Sequence, residues 1–386
     1  MKAISKKVRD LFVEKYNSAP SLYFSPGRIN LIGEHVDYND GFVMPAAIDR
    51  GIYYAIAPNG GDRFNFYSVD FEEQFSTGKG EIRKSGGWKD YVLSVLNEFV
   101  TAGKEPGGFD CVFGGDIPIG AGMSSSAAVE GGLAFALNEI FNTSISRIEL
   151  ALLCQRAEHG FPGVNCGIMD QFANLMGKKD LVILLDCNDL SYEFLPLETW
   201  GYRIVLVNSK VHHALASGEY NRRRYQCEEG LILLKTTMMI NSFRDIRKAE
   251  NLEPYRSVMG EEVYCRCKYV VEEILRTKKA ATCLRENDLA GLGKLMYETH
   301  EGLSRLYEVS CAELDFLVQQ ARLNQAVLGA RLMGGGFGGC TINIVAESGM
   351  QEFIEATGAA YEKKFGIVPE TYIVETSDGT HQLTAG

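Results

Sequence analysis

Gly27-Arg28-Ile29-Asn30-Leu31-Ile32-Gly33-Glu34-His35-Val36-Asp37-Tyr38-Asn39-Asp40-Gly41 is the stretch on which the reading of this chain turns. It gathers Arg28, Asn30, Glu34, His35, Asp37 and Tyr38 around an apolar pair, Leu31-Ile32, with glycines at 27, 33 and 41 as punctuation. Arg28 to Ile32 predicts a short strand turning at Gly33, which puts the polar cluster at a strand end, where binding groups commonly sit. Two carboxylates, an imidazole and an amide at fixed angles offer the acceptors and donors that a polyhydroxylated ligand such as a sugar demands. The competing reading is a solvated turn, since charged residues mostly face water.

Working outward, 42–58 predicts two strands and Arg63 to Val69 another. Gly86-Gly87-Trp88-Lys89-Asp90-Tyr91 opens a helix with apolar residues at 92, 93, 96 and 99. A strand at Phe109 to Phe113 leads into Gly120-Ala121-Gly122-Met123-Ser124-Ser125-Ser126 and an alanine-rich helix, Ala127 to Phe141. Glycines allow close backbone approach, and free amides at a helix N-terminus attract an anion. The alternative is ordinary capping by Ser124 or Ser125. A Walker loop is excluded, because no Lys-Ser/Thr follows at the required spacing. Gly131-Gly132 inside the helix costs roughly 1 kcal/mol per glycine relative to alanine, which implies close packing against a neighbour. A helix from Ser146 to His159 follows, and then Cys166-Gly167-Ile168-Met169-Asp170-Gln171. Taken alone, Asp170 reads as an N-cap or as a catalyst.

Strands at Leu181 to Asp186 and Tyr192 to Leu197 precede a change to helical, charged composition near Thr199-Trp200-Gly201, so residues 1–199 and 200–386 are expected to be two domains. Arg203 to Asn208 opens the second as a strand. A long helix then carries Tyr220 and Arg222-Arg223-Arg224, the arginines reading as a solvated face or as something more. Residues 261–325 read as helical with one break near Thr282 to Asn287. Gly334 to Gly339 is a five-glycine loop beside a strand, followed by a helix at Met350 to Phe365 and a strand at Thr371 to Glu375. Strand-helix-strand units with antiparallel pairing predict an α+β class. The loop precedes a strand and opens no helix, which argues against a dinucleotide fingerprint.

Composition bounds the function. In 386 residues, 46% apolar content is enough to bury two cores. The first sixteen residues read as an amphipathic helix and not a secretion leader, and no apolar run approaches the ~18 residues of a membrane span. Ten scattered cysteines include no C-x-x-C pair, which fits reduced thiols and a cytoplasmic location. The adjacent His212-His213 has no third ligand in view and reads as non-metallic. A formal net charge of -11 argues against nucleic acid or an anionic membrane as partner. Any phosphate must then be held by local amides, a few cations and a metal ion.

The opening stretch, together with P-x-G-x-G-x-S-S-S-A at 118–127 and C-G-I-M-D-Q at 166–171, resembles the galactokinases within the GHMP family of small-molecule kinases. The resemblance extends over essentially the whole chain. Small departures are W-K-D-Y-V at 88–92 where W-A-N-Y-V is frequent, Met123 where leucine is commoner, and Gly218 where serine is usual. The resemblance implies a two-lobed GHMP-kinase-like fold: a ribosomal S5 domain 2-like N-terminal domain, a ferredoxin-like C-terminal domain, and the active site between them. It implies magnesium-dependent transfer of the ATP γ-phosphate to the anomeric hydroxyl of galactose. Asp170 and Arg28 match the catalytic positions, with Asp170 either a base or an orienting group. Glu34, His35, Val36, Asp37, Gly167 and Tyr220 match the sugar positions. Gly120, Ala121, Gly122, Met123, Ser124, Ser125 and Ser126 match the nucleotide cradle. Trp88 is either an adenine neighbour or a core-edge aromatic. Ser126 and Glu158 match the Mg2+ ligands.

Two rival readings are a kinase for N-acetylgalactosamine or arabinose, and a non-catalytic galactose sensor. Such sensors lack the Ser-Ala step after the serine run, which is present here as Ser126-Ala127. The expected partners are galactose and ATP alone, with the chain a monomer or weak homo-oligomer.

Overall fold

The longest strand of the first half, Pro45–Pro58, is the axis of the larger sheet. The computed structural model describes residues 2–118, 120–212 and 216–384; His213 of the histidine pair lies outside them. In chain order the elements are α1 (Ala3–Tyr16), β1 (Ser21–Asn30), β2 (Phe42–Val43), β3 (Pro45–Pro58), β4 (Arg63–Ser68), β5 (Glu73–Gly78), α2 (Lys89–Thr101), β6 (Phe109–Gly115), α3 (Ser125–Ile140), α4 (Arg147–Gly160), α5 (Met169–Met176), β7 (Leu181–Asp186) and β8 (Tyr192–Pro196). The second half continues with β9 (Tyr202–His212), α6 (Ala216–Thr237), α7 (Arg256–Met259), α8 (Glu261–Arg285), α9 (Leu289–Arg305), α10 (Ala312–Leu323), β10 (Val327–Leu332), β11 (Gly338–Ala346), α11 (Met350–Phe365), β12 (Glu370–Val374) and β13 (His381–Gln382). Among the described residues no helix is long and apolar enough to cross a membrane.

Three sheets result, ordered β13-β1-β3-β6-β4-β5, β10-β11-β9-β12 and β2-β7-β8. Successive side chains of β3 face opposite ways. Tyr53 and Ala55 pack with Val8 and Phe12 of α1, while Ile52, Tyr54 and Ile56 join the main core. The glycine pair of α3 lies against two neighbours. A Cβ at Gly131 would stand 2.0 Å from Asn174 Oδ1, and one at Gly132 would stand 2.4 Å from the Tyr54 ring.

Three features differ from the sequence reading. The helical region of 261–325 has two breaks. The second, at 306–311, exists because Tyr307 and Val309 leave the helix to be fully buried, and Phe337 N–H bonds to the Val309 carbonyl. β5 was not anticipated; its burial alternates, but its residues are mostly polar. After β12 the chain returns to the first sheet, where β13 pairs with β1.

The two halves are joined by buried polar groups that hold the Gly27–Gly41 stretch. Arg331 on β10, fully buried, donates from Nε to the Leu31 carbonyl at 2.8 Å and from both terminal nitrogens to Glu34 Oε1 at 3.1 Å. Glu273 on α8 accepts from Gly33 N–H at 2.8 Å, and the Tyr269 hydroxyl donates to the Glu34 carbonyl at 2.9 Å. Buried charges persist only when paired and hydrogen-bonded, so the stretch is clamped in one geometry. Gly33 takes φ +96°, and a Cβ there would stand 2.4 Å from the Phe42 carbonyl.

Candidate active site

Arg28 follows a bulge in the β1–β3 pairing, which turns its side chain under the cradle. The guanidinium makes a two-pronged contact with Asp170, Nε to Oδ1 at 2.7 Å and Nη2 to Oδ2 at 3.0 Å, and Nη1 donates to the Gly122 carbonyl. Burial opposes its charge, but Asp170, Glu34 and Asp37 outweigh this and raise its pKa. Asp170 is the second residue of α5, and Ile168 occupies the N-cap position. Ser124, at the N-cap of α3, makes no capping bond; its hydroxyl donates to Asp170 Oδ2. Its backbone is left-handed, φ +56°, an uncommon state for a side-chain-bearing residue and one found at functional sites. Neither simple capping reading holds.

A cavity of about 190 Å³ opens beside this pair, lined among others by Arg28, Glu34, His35, Asp37, Asp170 and Tyr220. Glu158, Cys166 and the Gly334–Gly335 backbone complete its wall. Asp37 is pushed up to about 7 by burial and then by the negative charges of Asp170 and Glu34. Gly167 makes room for it: a Cβ there would stand 2.1 Å from Asp37 Oδ2.

His35 is fully engaged. Its Nε2–H donates to the Gly335 carbonyl at 3.2 Å, so Nδ1 accepts from the Tyr38 hydroxyl at 2.6 Å. That hydroxyl in turn accepts from Tyr307 at 2.9 Å. Burial lowers the imidazole to about 4, so it is neutral and serves as a wall. The Val36 side chain is wholly buried against Gly41, and its carbonyl accepts from the Asn39 and Gly41 amides. Both His35 ring nitrogens are thus bonded within the protein, and the Val36 side chain faces the core. The three arginines of α6 divide. Arg222 is exposed, Arg224 pairs with Glu228 at 2.9 Å, and Arg223 is buried, with Nε on the Tyr307 carbonyl at 2.7 Å.

A second cavity of about 230 Å³ lies beyond the start of α3, lined by Ile52, Phe71, Trp88, Phe113, Ser125, Ser126 and others. Trp88 stacks on Phe71 with rings 4° from parallel and donates to Glu73 Oε2 at 2.9 Å, so it is both a core-edge aromatic and a cavity wall. Met123 and Ala121 are buried, leaving only backbone of these two for a ligand. The glycine loop backs the cradle: a Cβ at Gly122 would stand 3.1 Å from the Met333 carbonyl, and one at Gly339 would stand 3.3 Å from that of Gly120.

Ser126 lines the second cavity and Glu158 the first, where Glu158 Oε2 accepts from Gln171 Nε2 at 2.6 Å. Burial and Asp170 push Glu158 up to about 7. Two carboxyls of one cleft are thus raised, first by burial and then by neighbouring negative charge. Among the described residues no group of three or more His, Cys, Asp or Glu could hold a metal. One carboxylate and one hydroxyl beside a serine-rich helix N-terminus would fit magnesium, which keeps several waters and binds through few protein ligands plus phosphates. Sequence reasoning passed over Arg331, Cys166 and, among the walls of the second cavity, Ile52, Phe71 and Phe113; an arginine inside the apolar run of β10 was the available signal for the first.

A two-lobed α+β fold with a serine-rich helix start and a carboxylate at its mouth defines a GHMP-type small-molecule kinase. Residues 90–178 match the GHMP kinases N terminal domain and residues 280–363 the GHMP kinases C terminal domain. Residues 10–58 match the galactokinase galactose-binding signature. A galactokinase of Clostridium acetobutylicum is 41% identical over 98% of each chain, and one of Thermotoga maritima is 42% identical over 93% of this chain and 99% of its own. The chain belongs to the galactokinase family. The crystal structure of Lactococcus lactis galactokinase complexed with galactose superposes with a TM-score of 0.94 at 35% identity, covering 98% of this chain and 99% of that one. A mevalonate kinase of Methanococcus jannaschii, 20% identical with a TM-score of 0.64, shares the fold over 94% of this chain and 99% of its own.

Proposed function

We propose that this chain transfers the γ-phosphate of ATP to the anomeric hydroxyl of galactose, giving galactose 1-phosphate and ADP. The observation that carries the reading is the Arg28–Asp170 pair beside the polar cavity, joined through Ser124 to the start of the helix that borders the second cavity. The polar cavity suits a monosaccharide, and the apolar one suits an adenine ring beside Trp88. Galactose is the sugar named for the Lactococcus lactis relative.

Asp170 faces the hydroxyl that reacts and takes its proton as that hydroxyl attacks. Arg28 fixes both oxygens of Asp170 and brings positive charge toward the transferring phosphoryl group. The amides of the cradle hold the phosphates. Magnesium, held by Glu158 and Ser126, supplies charge neutralisation when bound. Most of the acceleration then comes from in-line placement and electrostatics. Asp37, Glu34 and Tyr220 read the ring hydroxyls, Gly167 makes space for Asp37, and His35 and Val36 shape the wall. Because a buried acceptor left unpaired is costly, the wrong epimer binds poorly, which favours galactose over glucose. Every group invoked comes from one chain, so a monomer or weak homo-oligomer in the cytoplasm suffices.

The test is an ATP-dependent assay of the purified chain with galactose, N-acetylgalactosamine, arabinose and glucose side by side, identifying the product by phosphorus NMR. Galactose 1-phosphate as the dominant product is expected. Silence with galactose, or equal rates with glucose, would refute the assignment.

A further inference from the structure

Glu130 lies on α3 one turn past Ser126, completely buried, and neither of its carboxyl oxygens has a hydrogen-bond partner. The Gln171 side chain on α5 lies against it, and Gln171 Oε1 is also buried without a partner. The other end of Gln171 is engaged, with Nε2–H donating to Glu158 Oε2 at 2.6 Å. One amide therefore stands between two carboxyls. An amide has a donating end and an accepting end, so it serves a carboxylate at its nitrogen and needs a donor at its oxygen. A single proton on Glu130 supplies that donor and removes the buried anion. Glu158 has a further donor in the Cys166 thiol, whereas Glu130 has no bonded partner. Burial and the neighbouring Glu158 charge push the Glu130 carboxyl well above the usual range.

We propose that Glu130 is a neutral carboxylic acid that donates its O–H to Gln171 Oε1, and that this bond fixes the amide with its nitrogen on Glu158, making Glu130 a positioning residue for the metal-binding carboxylate. The last step rests on the role given above to Glu158; the acid and its bond to Gln171 do not. With the amide reversed, its oxygen would face Glu158 Oε2 and the carboxylate would lose its orienting donor.

Three measurements on the full chain separate the parts. Infrared difference spectroscopy of the wild type against Glu130→Gln should show the carbonyl stretch of a buried protonated carboxyl, present only in the wild type. Mn2+ affinity in the presence of a non-hydrolysable ATP analogue is then read by electron paramagnetic resonance. Glu130→Gln retains an N–H for Gln171 Oε1 and should bind Mn2+ as the wild type does. Glu130→Met has a similar length and no donor, and should lose ~10–100-fold in Mn2+ affinity, the range for outer-shell partners. Galactose affinity without nucleotide, measured by calorimetry, should be unchanged in both. Absence of the carbonyl band overturns the acid, whether or not the Met variant folds. Equal Mn2+ affinity in all three proteins, or a Gln variant as weak as the Met variant, overturns the positioning role. So does a Met variant that loses galactose and Mn2+ together. A band that is present in a protein inactive on galactose would instead refute the preceding functional reading and leave the Glu130–Gln171 bond standing.

Discussion

Gly167→Ala isolates the space that Asp37 occupies. Gly167 does not sit in the left-handed region, so alanine brings no backbone strain; only its Cβ matters. That atom would stand 2.1 Å from Asp37 Oδ2 and 2.2 Å from its Cγ, against an ordinary contact of 3.4 Å. The carboxyl group must retreat by about 1.3 Å, enough to break a hydrogen bond tuned to a sugar hydroxyl. A hydrogen bond to a charged group contributes roughly 1.5–3 kcal/mol, so the galactose KM should rise about 10- to 100-fold. The ATP KM should hold, because the second cavity and the cradle do not touch Gly167. Initial rates with ADP detection, varying each substrate in turn, give both constants, and a melting curve establishes that the variant is folded. An unchanged galactose KM in a folded variant would remove Asp37 from the sugar site and refute the reasoning.

Galactose binding without nucleotide or metal should strengthen as pH rises toward about 7, where Asp37 loses its proton and becomes a full acceptor, and then level off; Asp37→Asn should bind weakly with no such dependence. The sign for stability is the reverse. A carboxyl raised from 3.8 to about 7 stabilises the fold below the lower value and loses that contribution as pH rises through the window, so galactose should raise Tm more at pH near 8 than near 6. Asp170→Asn should lower turnover by ~10²–10⁴ while galactose still binds by calorimetry; near-normal turnover would leave it no role as a base. Gly131→Ala gains about 1 kcal/mol of helix propensity but drives a methyl into Asn174 Oδ1 at 2.0 Å, so denaturant titration should show a net loss of about 1–3 kcal/mol. Gly358→Ala on α11 meets nothing within 4 Å and should stabilise the chain by about 1 kcal/mol.

Much of the architecture was legible because its signals are local. Ser146 and Glu149 spell a capping box, and α4 begins there; α11 has the bounds its apolar spacing gives. The family resemblance marked Arg28, Glu34, Asp37 and Asp170 within its motifs and Tyr220 outside them, and all five line one cavity. What escaped depends on partners distant in sequence. Ser124 reads as a cap until Asp170, 46 residues on, takes its hydroxyl. The bond of the His35 ring to the Gly335 carbonyl, 300 residues on, has no sign in the local sequence. Arg331 and Glu273 hold the sugar stretch from roughly 300 and 240 residues away, and no pattern in the stretch itself reports them. The return of β13 to β1 is likewise invisible locally, because a two-residue strand has no periodicity.

A crystal structure of the chain with galactose and a non-hydrolysable ATP analogue tests the central claim most directly. The sugar should lie in the cavity of Asp37 and Tyr220 with its anomeric oxygen within hydrogen-bond distance of Asp170, and the terminal phosphate between that oxygen and the start of α3. A sugar bound with its anomeric oxygen turned from Asp170, or an adenine ring outside the Trp88 cavity, would contradict it.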